Sequence, residues 1–222
     1  LRALNTGALR SLSTDQLGAL NSDQLGAMTT AQVNALTSTQ IKGLVSDDLN
    51  AFTTDQFKNM SSGQIAAMTT DQIKTLQTQD LAAISTAGVK GLSSDQVAAM
   101  TTDEIQALGT AQFAAMGTAQ LNGLRTDQII KLESDDLRAI STGVLSKLSS
   151  DQIAALTSDQ VAQLTTAQVA ALATTPANQL GAFSTDDIRA MTTAQAAAIT
   201  SAQIKGLSTD QVAKFETDDL RA

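Results

Sequence analysis

Ile153-Ala154-Ala155-Leu156-Thr157-Ser158-Asp159-Gln160 is one copy of an eight-residue pattern that runs through all 222 residues. Number each octad from its first apolar residue. Position one is Leu1, Leu9, Leu17, Leu25, Val33, Ile41 and onward, and only Ala196 is small. Position four is Leu4, Leu12, Leu20, Met28, Leu36, Leu44, Phe52 and onward, always Leu, Met, Ile or Phe. Position six is Ser or Thr in every octad, from Thr6 to Thr217. A short repeat of this kind means an array in which each unit buries its apolar side against its neighbours. The reading is therefore one continuous array over 1–222, with three extra residues between Ala173 and Phe183.

The octad predicts a helix. Ser or Thr at position six can accept a backbone N–H two or three residues on, which places the N-cap there. Asp at the next two positions suits the positive end of a helix dipole. Where position five is also Ser or Thr, it forms a second capping reading with Gln at position eight, as in Thr69-Thr70-Asp71-Gln72. Positions one and four then share a helix face. The next cap follows at once, so each helix has about six residues. One continuous helix is excluded, because eight residues at about 100° each shift the apolar stripe by about 80° per octad. In a strand, positions one and four face opposite sides, and Ala and Gln are poor strand formers. A β-solenoid is the remaining alternative. In the insertion, Pro176 after Thr175 reads as a cap followed by Pro at the first helical position. Three residues is nearly one helical turn, so a single longer helix is expected there.

Octads alternate at position two. One parity carries Lys42, Lys58, Lys74, Lys90, Arg189 and Lys205; the other carries Ala66, Ala82, Ala98 and Ala114. The fold class expected is all-α: a rod-like α-solenoid with two octads, 16 residues, per coil. On that reading the six cations form one row that faces an anionic polymer or surface, or keeps the rod soluble. The four alanines form a contact surface between rods.

Composition bounds the function. The net charge is −8, from 22 acidic and 14 basic residues, which argues against a nucleic-acid partner. With no Cys, His, Trp or Tyr, the chain has no thiolate or imidazole chemistry and no Cys/His zinc site. No apolar run approaches the ~20 residues that span a bilayer. The pairs Asp47-Asp48, Asp135-Asp136, Asp186-Asp187 and Asp218-Asp219 follow capping hydroxyls and are read as structural, not as metal or acid–base sites. Asn59-Met60-Ser61 fits an N-glycosylation triplet, and the six Met are core filler. Every octad offers the same groups, whereas an active site needs a unique constellation. No catalytic, cofactor or metal residue is expected, and the chain is not read as an enzyme. Blocks have been copied: Leu1–Gly7 resembles Leu137–Gly143, and the chain closes on Leu220-Arg221-Ala222. The expectation is a slice of a longer tandem array.

Runs such as IAALTSDQVAQLTTAQVAAL, Ile153 to Leu172, resemble the Ala-Leu-Thr-Thr-x-Gln octapeptide repeats of very large bacterial surface and adhesin-like proteins. That family is often labelled for haem utilisation or adhesion. The resemblance covers essentially the whole chain. It implies an exported, extracellular or cell-surface location and a stalk or filament body, in adhesion, biofilm or an extracellular filament; association with copies of itself is expected from the alanine surface. It supplies no catalytic motif and no haem ligand. The alternative function is a binding module whose basic row docks an anionic surface; a third is an accessory segment of an enzyme.

Overall fold

The computed structural model of the chain describes residues 3–175 and 178–215. Among these, the regular elements are α-helices of four to six residues, from Thr6–Arg10 to Thr209–Val212, and one 3-10 turn, Leu180–Ala182. No strand occurs among the described residues, which removes the β-solenoid alternative. The helices are short because each octad rebuilds an N-cap before the previous helix can extend. At a typical corner Leu36 (φ −60°, ψ 137°) and Thr37 (φ −75°, ψ 159°) are both extended. Two extended residues in succession end one helix and aim the next.

The cap lies one residue earlier than position six predicts. Helices begin at position six, and the N-cap is position five: Thr29, Ser61, Thr101 and Thr157 each accept a backbone N–H with the side-chain hydroxyl. Position six is the first helical residue. The second capping reading is the one that holds, because only position five puts Gln at the third helical residue, from which its side chain can reach back.

Two compact units are present, Leu1–Met116 and Gly117–Ala222. In the first, every helix packs on the third helix along the chain: Thr6–Arg10 on Thr30–Ala35, Thr30–Ala35 on Thr54–Asn59, Thr54–Asn59 on Thr78–Ala83. The second unit follows the same rule: Thr118–Leu121 packs on Thr142–Leu145, and Ser158–Gln163 on Thr185–Ala190 once Leu180–Ala182 is counted as an element. Each unit is an α-solenoid as expected, but the coil holds three octads, 24 residues, not two. The 16-residue alternation misled because it sits at exposed position two. The packing positions one and four stay apolar from octad to octad, so the alternation does not report the coil.

The core follows the pattern. Position one is sealed along most of the array, as in Phe57, Ile65, Ile73, Val97 and Phe113, all with no exposed surface; near the C-terminal end Ile204 and Val212 are exposed. Position four closes the corners: Met60, Met68, Leu108 and Met116 are buried beside it. Phe52 and Phe57 meet edge to face at 6.2 Å.

The three-residue insertion does not lengthen a helix. Ala173 to Thr175 are non-helical, Asn178 has a positive φ of 36°, and the helix of this octad contracts to Leu180–Ala182. Pro176 lies outside the described residues. The Gln of this octad keeps its place. Gln179 Oε1 accepts from Ala173 N at 2.6 Å, and its Nε2 donates to Leu148 O at 2.7 Å.

Candidate functional site

Position eight carries the most distinctive chemistry of the molecule, and the sequence reading assigned it only a capping role. From Gln32 onward its glutamines are buried, Gln32, Gln56, Gln64, Gln96 and Gln168 each 3 % exposed or less, while Gln16 and Gln24 before them are exposed. A primary amide can be buried at no penalty only when both ends are bonded. Here both are. In Gln64 the carbonyl Oε1 accepts from Ser61 N at 3.0 Å, which completes the capping box of its own helix. The amide Nε2 donates to Val33 O at 2.8 Å and Leu36 O at 3.0 Å, 31 and 28 residues earlier. Those carbonyls belong to positions one and four, where the helix end and the extended corner leave them without the next helical partner. One side chain thus satisfies the start of its own helix and the end of a helix in the coil beneath.

The same rung recurs through both units. Gln40 bonds Leu9 O and Leu12 O at 2.8 and 2.9 Å. Gln96 bonds Ile65 O and Met68 O, and Gln152 bonds Leu121 O and Leu124 O. Past the insertion the span grows by three residues and the partners stay equivalent: Gln195 donates to Val161 O and Leu164 O.

Some buried slots hold a carboxyl instead: Asp80, Glu104, Asp136 and Asp187. Asp187 is provided for, since its oxygens accept from Ser184 N at 2.8 Å and from the hydroxyls of Ser184 and Ser158. Glu104 accepts from Thr101 N at 2.6 Å. Burial raises its pKa, an effect opposed by the Thr101 hydrogen bonds and by Lys74 and reinforced by Asp103. Asp80 has neither provision: its N-cap is Gln77, and no side-chain cap bond is made. Burial pushes its pKa up to about 6. Of the acidic pairs, Asp135-Asp136 and Asp186-Asp187 split, with the first residue exposed and the second in the buried slot. Their two carboxyls therefore do not share a site. Asp218-Asp219 lies outside the described residues.

The expected basic row does not form. Lys42 lies on Ser38–Gly43 and Lys90 follows Thr86–Val89; these helices share one stack, with Ser62–Ala67 between them. Lys58 is on Thr54–Asn59 and Lys74 on Thr70–Lys74, in the other two stacks. The alanines disperse likewise: Ala66 and Ala114 occupy the Lys42 stack, Ala82 the Lys58 stack and Ala98 the Lys74 stack. The first stack therefore reads Lys42, Ala66, Lys90, Ala114. The reason is arithmetic: a 16-residue chemical alternation on a 24-residue coil repeats only every second coil on any one side. In the second unit Arg189 is exposed and pairs with Asp186 at 3.3 Å, three residues before it. Lys205 follows Ser201–Ile204, on another stack.

Among the described residues, no helix is long and apolar enough to cross a membrane, and no three His, Cys, Asp or Glu converge on one point. The surface hollows are shallow. One, of about 420 Å³, is lined by Asn122, Arg125, Lys147 and Asp151, and its Arg125 is held by Asp127 at 2.9 Å. The hydrogen bond from Arg125 in turn lowers the Asp127 pKa.

This lattice of capped octads and buried amides defines a class of solenoid repeat. The ALTTAQ repeat matches residues 1–30, 43–78, 73–110, 104–132, 129–166 and 180–217, and the chain belongs to that repeat family. No curated protein sequence matches the chain significantly.

Proposed function

We propose that the chain is a non-catalytic structural module: the stalk or filament body of a secreted or surface-exposed bacterial protein. The observation that carries the reading is where the polar side chains are used. Where position five carries a hydroxyl and position eight an amide, as in most octads, both are spent on neighbouring turns of the same chain. The exposed residue at position two alternates in charge along the chain. Such a design supplies length and stiffness in units that can be added without a new fold.

Self-association is the second part of the proposal. Each side of the first unit mixes cations with alanines and with exposed Asp residues such as Asp55 and Asp95. Copies could meet side to side through alternating charge and small residues, not through one alanine face. The test is sedimentation velocity with electron microscopy on the wild type and on Ala66→Glu with Ala114→Glu, which places two acids on one stack. Salt-sensitive oligomers that dissociate in the double variant, with helicity unchanged, are expected. A strictly monomeric wild type across protein concentration and salt would overturn the self-association.

A further inference from the structure

Asp80 and Glu104 occupy consecutive rungs of the same stack, one coil apart. The helices Thr30–Ala35, Thr54–Asn59, Thr78–Ala83 and Thr102–Ala107 lie one upon the next. Their third helical residues are Gln32, Gln56, Asp80 and Glu104. The two amides do what amides do elsewhere: Gln32 donates to Leu4 O at 2.8 Å and Gln56 to Met28 O at 2.7 Å. By the same register Asp80 stands opposite Leu49 and Phe52, and Glu104 opposite Ile73 and Leu76. An ionised carboxylate has no proton to offer a carbonyl; a protonated one has one. Asp187 escapes this conflict through the hydroxyl of Ser158, the first residue of the helix beneath it. The equivalent residue beneath Asp80 is Thr54, and among the described residues its hydroxyl makes no such bond.

We propose that Asp80 and Glu104 form a pH-sensitive seam in the first unit, fastened when the carboxyls are protonated and loosened when they ionise. The charged residues on the helices packed against Thr78–Ala83 are Asp55 and Lys58 on one side and Asp103 and Glu104 on the other. Asp55, Lys58 and Asp103 are exposed, so solvent screens them; Glu104 is buried with Asp80. Lys74 acts to lower the Glu104 pKa. Burial alone raises the pKa of Asp80; in Glu104 burial outweighs the Thr101 hydrogen bonds that oppose it.

The sign runs against the usual acid lability of proteins. A folded-state pKa of about 6 for Asp80, against 3.8 as its ordinary value, means the folded state holds the proton more tightly. Stability from this group is complete below the ordinary value and is lost as pH rises through about 6.

The test is native-state hydrogen exchange over residues 70–107, corrected for intrinsic rates, at pH 5 and 7.5. The proteins are the wild type, Asp80→Gln with Glu104→Gln, and Gln64→Glu. The wild-type opening equilibrium is expected to rise about tenfold between the two pH values. The double glutamine variant, which restores the residue of the other slots, should lose most of that rise. Gln64→Glu should import a similar rise into residues 33–68. A carbon-detected NMR titration of the Asp80 carboxyl in the wild type gives an independent readout, expected near pH 6. A wild-type opening equilibrium unchanged by pH, a rise retained in the double variant, or a carboxyl that titrates below pH 4.5 would each overturn the seam.

Discussion

A glutamine at the third helical residue has the reach and the two-ended chemistry that this fold demands. Glu can complete the capping box but has no donor for the coil beneath; Leu can fill the slot but has neither. In Gln64→Leu, Ser61 N, Val33 O and Leu36 O lose a partner together. An unsatisfied buried group costs about 1–3 kcal/mol, so urea unfolding should show a loss of at least about 3 kcal/mol. The hydroxyl assignment is tested in the same assay. Thr101→Ala removes the cap itself and should cost about 1 kcal/mol, whereas Thr102→Ala, at the first helical residue, should change little. Val45 is an N-cap without a side-chain bond and is 62 % exposed, so Val45→Thr should gain about 1 kcal/mol. At this scale the sequence shows that hydroxyls and Gln belong to caps. It does not show which of two adjacent hydroxyls is the cap, because both precede the helix by a plausible distance. Nor does it show that Gln is buried, because its second partner lies 28 to 31 residues away.

Helices of four to six residues do not persist alone, since even lengths of about 12–15 are marginal in water. Each is held by its cap, by its position-one and position-four side chains and by its amide rung. Stacking also brings backbones close. A Cβ added at Gly91 would sit 2.1 Å from Ser62 O, on the helix beneath, and neither backbone can yield cheaply. Gly91→Ala should therefore destabilise by about 1–3 kcal/mol. The existence, length and apolar face of these helices were legible from period and caps. The coil was not. Position two alternates with a 16-residue rhythm, yet Lys42 and Lys58 are exposed and so lie outside the buried core that sets the stacking. The insertion departs from the single longer helix for a related reason: Gln179 keeps register, so the helix of its octad can shrink to Leu180–Ala182.

Because positions one and four are apolar throughout and Gln fills position eight in most octads, the array has no preferred place to begin a coil. Deleting one octad, for example 65–72, moves every later residue to the next stack but hands each glutamine an equivalent pair of carbonyls. Thermal unfolding of that variant should remain cooperative, while deletion of four residues, which puts position four where eight should be, should abolish it. The rungs also determine how the fold meets a load. Each ties an octad to the coil beneath through two hydrogen bonds at one point, as Gln40 does to Leu9 and Leu12. Tension applied to the chain of the first unit would therefore meet these ties one after another, like a zipper, and not all at once, as in a sheared sheet. Every tie that parts frees eight residues, about 26–29 Å of slack. An optical trap should record a long plateau of small, regular steps at low force. A tether built this way lengthens under a pull and recovers when it ends, because each peeled octad meets the edge it left.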